Sequence, residues 1–178
     1  MKLKTKNLIL YSLFAAMTAV LSQISLILPF TPVPVNLAML SVFMSGAMVG
    51  SKGGAVSQIV YVILGAIGIP VFAKLSAGVG IILGPTGGYI VGYIAAAYIT
   101  GYIIEKTGKG FISYIFAMII GLIACYLLGT IWFMIITGTM IYKALTLCVI
   151  PFIPGDVLKI LAGSFLASRL NPIINKNK

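Results

Sequence analysis

The chain has no histidine, only two acidic residues (Glu105 and Asp156) and only two cysteines (Cys125 and Cys148) among 178 residues. With no imidazole and so few carboxylates there is almost nothing from which to assemble an acid–base pair or a catalytic triad. The cysteines stand in apolar stretches without CxxC or Cys/His spacing, so no metal site is expected. The glycines at 84–88 are not followed by Lys-Ser/Thr, which removes a Walker-type ATP loop. Charge is scarce altogether: 8% of residues, against roughly 25% in an ordinary soluble domain.

What is abundant is apolar surface, at 61% of residues with a mean hydropathy of +1.17. No soluble domain of this size hides that much, so the burying medium is lipid. Lipid cannot satisfy backbone N–H and C=O groups, and the apolar runs are continuous rather than alternating, which selects helices over a barrel. The expected fold is an all-α integral membrane protein, a single transmembrane domain over 1–178. A net charge of +10 would suggest nucleic acid on a soluble chain. Here the cations sit at span ends and in short turns, so no nucleic-acid partner is expected.

Six helices are expected, over 8–28, 37–49, 55–69, 89–104, 111–136 and 155–169. The first is read as an uncleaved span, because its apolar run exceeds a signal-peptide core and no A-x-A-like site closes it. Loop 1 (29–36) holds three prolines, which stop a helix. Loop 3 (70–88) is too rich in glycine and proline for a span yet too apolar for open water. Loop 5 (137–154) carries a short helical piece around Lys143. With an inner N-terminus, nine cations (2, 4, 6, 52, 106, 109, 169, 176 and 178) fall inside, and Lys74, Lys143 and Lys159 fall outside. The bias predicts both termini cytoplasmic, with loops 1, 3 and 5 together on the outer face.

Asp156 and Lys159 stand at i and i+3, on one side of the first turn of the last helix. Ionisable groups within a span usually face a cavity or a partner; the alternative is a structural ion pair with Asp156 capping the helix. In GPTGGY, Gly84, Thr86, Gly87 and Tyr89 lie where amides at a helix start can hold a carboxylate or carbonyl. The competing reading is close packing, since Gly84, Gly88, Gly92 and Ala96 form an i+4 row. Gly46, Gly50 and Gly54 form another such row. Outer-face aromatics (Phe30, Phe72, Tyr89, Trp132, Tyr142 and Phe152) suit either ligand stacking or interfacial anchoring.

Taken together, PVPVN (32–36), LGAIGIPVFA (64–73), LGPTGGYIVGY (83–93) and PFIPGDVLK (151–159) resemble BioY, the biotin-specific capture (S) component of energy-coupling factor transporters. The resemblance covers nearly the whole chain. It implies six helices in a bacterial plasma membrane and biotin held near the outer face under loops 1, 3 and 5. The acid and lysine of its PGDxxK motif map onto Asp156 and Lys159. It implies further that biotin is a transported ligand rather than a cofactor. The partners it implies are a transmembrane coupling protein and two ATPases, docked through small residues of the first helix, where Ala15 and Ala19 fit an AxxxA pattern. Asn36 departs from the expected Thr-like residue, so loop 1 contacts differ. A stand-alone carrier or channel, a membrane enzyme, and an S component for a related vitamin or biotin precursor are the competing readings. Neither inverted repeats nor intramembrane relay acids favour a carrier.

Overall fold

Lipid gives helices no hydrophobic reason to associate, so cohesion must come from close backbone approach and from buried hydrogen bonds. Both are present. The computed structural model describes residues 5–26, 29, 31 and 33–175. Of the residues singled out above, Lys2, Lys4, Leu28, Phe30, Pro32, Lys176 and Lys178 lie outside the described residues. The elements run α1 (Thr5–Gln23), β1 (Ser25–Leu26), β2 (Val35–Asn36), α2 (Ala38–Ala66), α3 (Val79–Leu83), α4 (Gly87–Thr107), α5 (Phe111–Thr137), α6 (Ile141–Cys148) and α7 (Ile153–Asn175). Five stretches are long and apolar enough to cross a membrane: Thr5–Gln23, Ala38–Ala66, Gly87–Thr107, Phe111–Thr137 and Ile141–Asn171. The fold is all-α apart from the two-residue ribbon.

Inside and outside are reversed relative to a soluble protein. Ile112, Ile135 and Leu158 lie exposed on the periphery, whereas Thr18, Ser41, Ser45 and Gln58 are fully buried. These four are linked across three helical segments: Gln58 Nε2 donates to Thr18 Oγ1 and Ser45 Oγ, each at 3.2 Å, and Thr18 Oγ1 donates to Ser41 Oγ at 3.0 Å.

The link between Gln58 and Ser45 shows how α2 is built. Thirteen residues on a straight helix span about 20 Å, so the chain must reverse between them. It does so at Gly50, whose φ of 85° and ψ of 177° break the helix into antiparallel arms, 38–49 and 51–66. The arms touch through glycine: a Cβ on Gly54 would stand 2.8 Å from Gly46 Cα. Glu105 of α4 secures the turn by accepting the Ser51 N–H at 2.7 Å, together with the Ser51 hydroxyl. One of the two acids therefore has a structural task. Gly50→Ala is expected to destabilise the protein by about 2 kcal/mol, since its positive φ disfavours a side chain. A lowered midpoint in a detergent thermal-unfolding assay would show it.

Several boundaries differ from expectation. The second arm of α2 runs 51–66 rather than 55–69, α4 runs Gly87–Thr107 rather than 89–104, and α7 ends at Asn175 rather than 169. The first helix ends at Gln23 rather than 28, because the chain turns into the ribbon, where Ser25 faces Asn36 and Leu26 faces Val35. A continuous apolar run does not mark where the chain leaves the helix. Loop 3 contains the short helix α3, and α7 begins two residues earlier than expected, at Ile153. The α4 row of small residues is a packing surface, as its spacing allowed: Gly88 lies against Trp132 and Gly92 against Cys125 of α5.

Candidate functional site

The first two turns of α7 bring Asp156 and Lys159 onto one face, and Lys159 Nζ stands 2.7 Å from Asp156 Oδ1. Both are almost inaccessible, at 4% and 7% exposure. This is the one salt bridge among the described residues. Asp156 does not cap the helix: α7 starts three residues before it, and the carboxylate sits within the first turn, where it still complements the positive end of the helix dipole. From α5, the Tyr126 hydroxyl donates to Asp156 Oδ2. An ionised carboxylate accepts about four hydrogen bonds, so two protein donors leave capacity for a ligand. That capacity lies on the wall of a small cavity of about 50 Å³, which Asn36, Tyr93 and Phe152 also line.

This cavity adjoins a larger one of about 270 Å³; Val33, Pro34, Asn36, Tyr89 and Tyr93 belong to both walls. The lining comes from all three irregular connections: 33–36 beside the ribbon, 72–86 before α4, and 148–152 before α7. Two aromatics of the wall rest on glycine. The ring of Phe72 lies over Gly65 and meets Tyr61 edge-on, with centroids 5.5 Å apart at 77°. The ring of Tyr89 lies over Gly129, and its hydroxyl is hydrogen-bonded to Thr130 at 3.1 Å. The site thus combines one buried ion pair with an aromatic chamber, an arrangement suited to a small, mostly apolar molecule with a few polar atoms.

A third cavity of about 540 Å³ lies between the ribbon and α7, with Leu26, Leu37, Leu40, Leu158 and Ala162 on its wall. It shares only Lys159 and Asn36 with the ion-pair cavity and is otherwise almost wholly aliphatic. A ligand rich in hydrogen-bonding atoms would go unsatisfied there. Among the described residues, no group of three His, Cys, Asp or Glu side chains could hold a metal ion.

Of the expected site residues, Asp156, Lys159, Thr86, Tyr89 and Phe72 line the paired cavities, whereas Gly84 and Gly87 do not. The amide that Gly87 was expected to offer is already donated to Gly84 O at 3.1 Å, and Gly84 O also accepts the Trp132 indole N–H at 3.0 Å. Both glycines shape the entrance to α4. Ala15 is turned into the core, 2% exposed, and Ala19 is half-buried against it; Leu13, Ala16 and Met17 occupy the open side of α1. A four-residue spacing places two alanines on one face without saying which way the face points. Tyr126, Tyr93 and Tyr61 were not anticipated. Tyrosines inside apolar spans carry no local signal that separates a cavity wall from a lipid contact.

Residues 1–176 match the BioY family. The chain is 40% identical over 168 residues to the probable biotin transporter BioY of Pyrococcus horikoshii, covering 94% of this chain and 98% of that one. It is 34% identical over 168 residues to the biotin transporter BioY of Thermotoga maritima, covering 94% and 97%. Its fold superposes with a TM-score of 0.86 on the crystal structure of the S-component for biotin from an ECF-type ABC transporter, at 26% identity over 93% of this chain and 90% of that one. With its ion pair, its aromatic chamber and these relatives at full length, this multi-pass membrane chain belongs to the BioY family.

Proposed function

We propose that this chain is the biotin-capturing S component of an ATP-driven vitamin importer, one substrate-binding domain that performs no chemistry of its own. The observation that supports this most is the buried Asp156–Lys159 pair on the wall of the paired cavities. An ion pair costs desolvation wherever it is buried, and simple helix packing would not require it at a cavity. Biotin presents two ureido N–H donors and a carbonyl, an apolar thioether ring and an aliphatic carboxylate. Asp156 suits the N–H groups as a charged acceptor; Phe72, Tyr61, Tyr89 and Tyr93 suit the ring.

Six crossings in a bacterial plasma membrane, with both termini inside, complete the proposal. The reversal at Gly50 supports the count, since it divides α2 into two arms. It also sets the turn carrying Lys52 beside the turn carrying Lys106 and Lys109, through the Glu105–Ser51 contact. These basic turns suit the cytoplasmic side, and the three connections around the cavities suit the outer one.

Energy would come from a coupling protein and two ATPases, docking on α1. Because Ala15 is buried, Ala15→Trp is expected to overpack the bundle and lower the yield of folded protein. Ala19→Trp, on the half-buried rim, is expected to weaken assembly with the energising module while leaving biotin affinity within about twofold. Co-purification and binding measured on the same samples separate the two effects. Uptake tests the whole proposal. Labelled biotin should accumulate in cells expressing the chain with an active module, and not with an ATPase-dead module. Accumulation with the chain alone would favour a stand-alone carrier.

A further inference from the structure

The turn after Phe72 contains two consecutive non-glycine residues in the left-handed region, Lys74 at φ 61° and Leu75 at φ 54°. L-residues rarely adopt this conformation, and two in succession persist only where the surroundings hold them. Besides the turn's own bridge between Phe72 and Ser76, the end of α1 holds them. Gln23 Nε2 donates to the carbonyls of Val71 (3.1 Å) and Phe72 (3.0 Å), and Gln23 Oε1 accepts the Leu75 N–H at 2.9 Å. Ser22 Oγ adds a hydrogen bond to the Val71 carbonyl at 2.6 Å. One carboxamide thus grips both sides of the turn and fixes Lys74 on the wall of the 270 Å³ cavity.

Among the described residues, Lys74 is the only charged one on that wall, and it forms no ion pair with any of them. Lys159, in the adjoining compartment, is already neutralised by Asp156. An anionic group therefore finds no net positive charge at the ion pair and finds one at Lys74. We propose that Lys74 is a second anchoring point, taking the aliphatic carboxylate of a ligand whose N–H donors meet Asp156, and that Gln23 is its positioning residue. The assignment rests on the biotin reading and deepens it, because it divides the ligand's polar groups between the two compartments.

The test compares biotin with its neutral primary amide on purified full-length protein at low salt. Wild type should prefer the acid by about three- to tenfold, a modest margin because Lys74 is exposed and its charge is screened. Lys74→Gln should erase the preference while leaving amide affinity unchanged, and Lys74→Arg should retain it. Gln23→Ala should reduce the preference; an equal loss for both ligands would make Gln23 a structural support and overturn its positioning role. An unchanged acid-to-amide ratio in Lys74→Gln, or no preference in wild type, would overturn the carboxylate anchor while leaving biotin capture intact. If wild type binds neither ligand, the biotin reading itself fails and the anchor with it.

Discussion

Asp156→Asn is expected to lower biotin affinity by about 100-fold, the loss of charge-assisted hydrogen bonds to a buried acceptor, on the order of 3 kcal/mol. The substitution keeps the size of the side chain but removes its charge and turns one acceptor atom into a donor. Ureido N–H groups would then meet an N–H group, and Lys159 would lose its counter-ion. Tyr126, which donates to Asp156 Oδ2, would remain in place. A titration of labelled biotin into wild type and variant gives the ratio directly. Affinity within about twofold of wild type would remove Asp156 from the site.

The second large effect separates a binding role from a structural one. Lys159→Met leaves a buried carboxylate uncompensated and is expected to destabilise the protein by about 3 kcal/mol. The pair Asp156→Asn with Lys159→Met removes both charges and should recover most of that loss, because replacing a whole buried ion pair is often close to neutral. Binding should not recover with it. Thermal unfolding and biotin titration on the three variants make the comparison: stability restored with binding still absent means that the pair serves the ligand. Recovery of both together would make the pair a device of helix packing, the alternative that its i, i+3 spacing left open.

These residues were legible in the sequence because charge is so rare in it. An acid in an apolar chain is conspicuous, and its neighbour three residues on shares its face of the helix. The three proline- and glycine-rich connections were legible for a similar reason: they interrupt spans that would otherwise run unbroken, and their side chains do line the cavities. What faces what was not legible. Ala15 and Ala19 share a face by spacing, yet only tertiary packing turns Ala15 inward. Gly84 and Gly87 looked like anion-holding amides, but local turns consume those groups. Tyr126, thirty residues before Asp156, becomes its partner only when α5 and α7 meet. Lys74 was visible as an outer cation. Its strained backbone and its clamp by Gln23 arise from contacts across about fifty residues.

The proposed role is capture without energy: the chain would hold biotin by itself, and other subunits would drive release. Equilibrium titration of labelled biotin into the purified, detergent-solubilised chain, with no nucleotide and no partner subunit, tests it most directly. The account predicts saturable binding at one site per chain, displaced by unlabelled biotin and lost in Asp156→Asn. The absence of saturable binding in folded protein would contradict it.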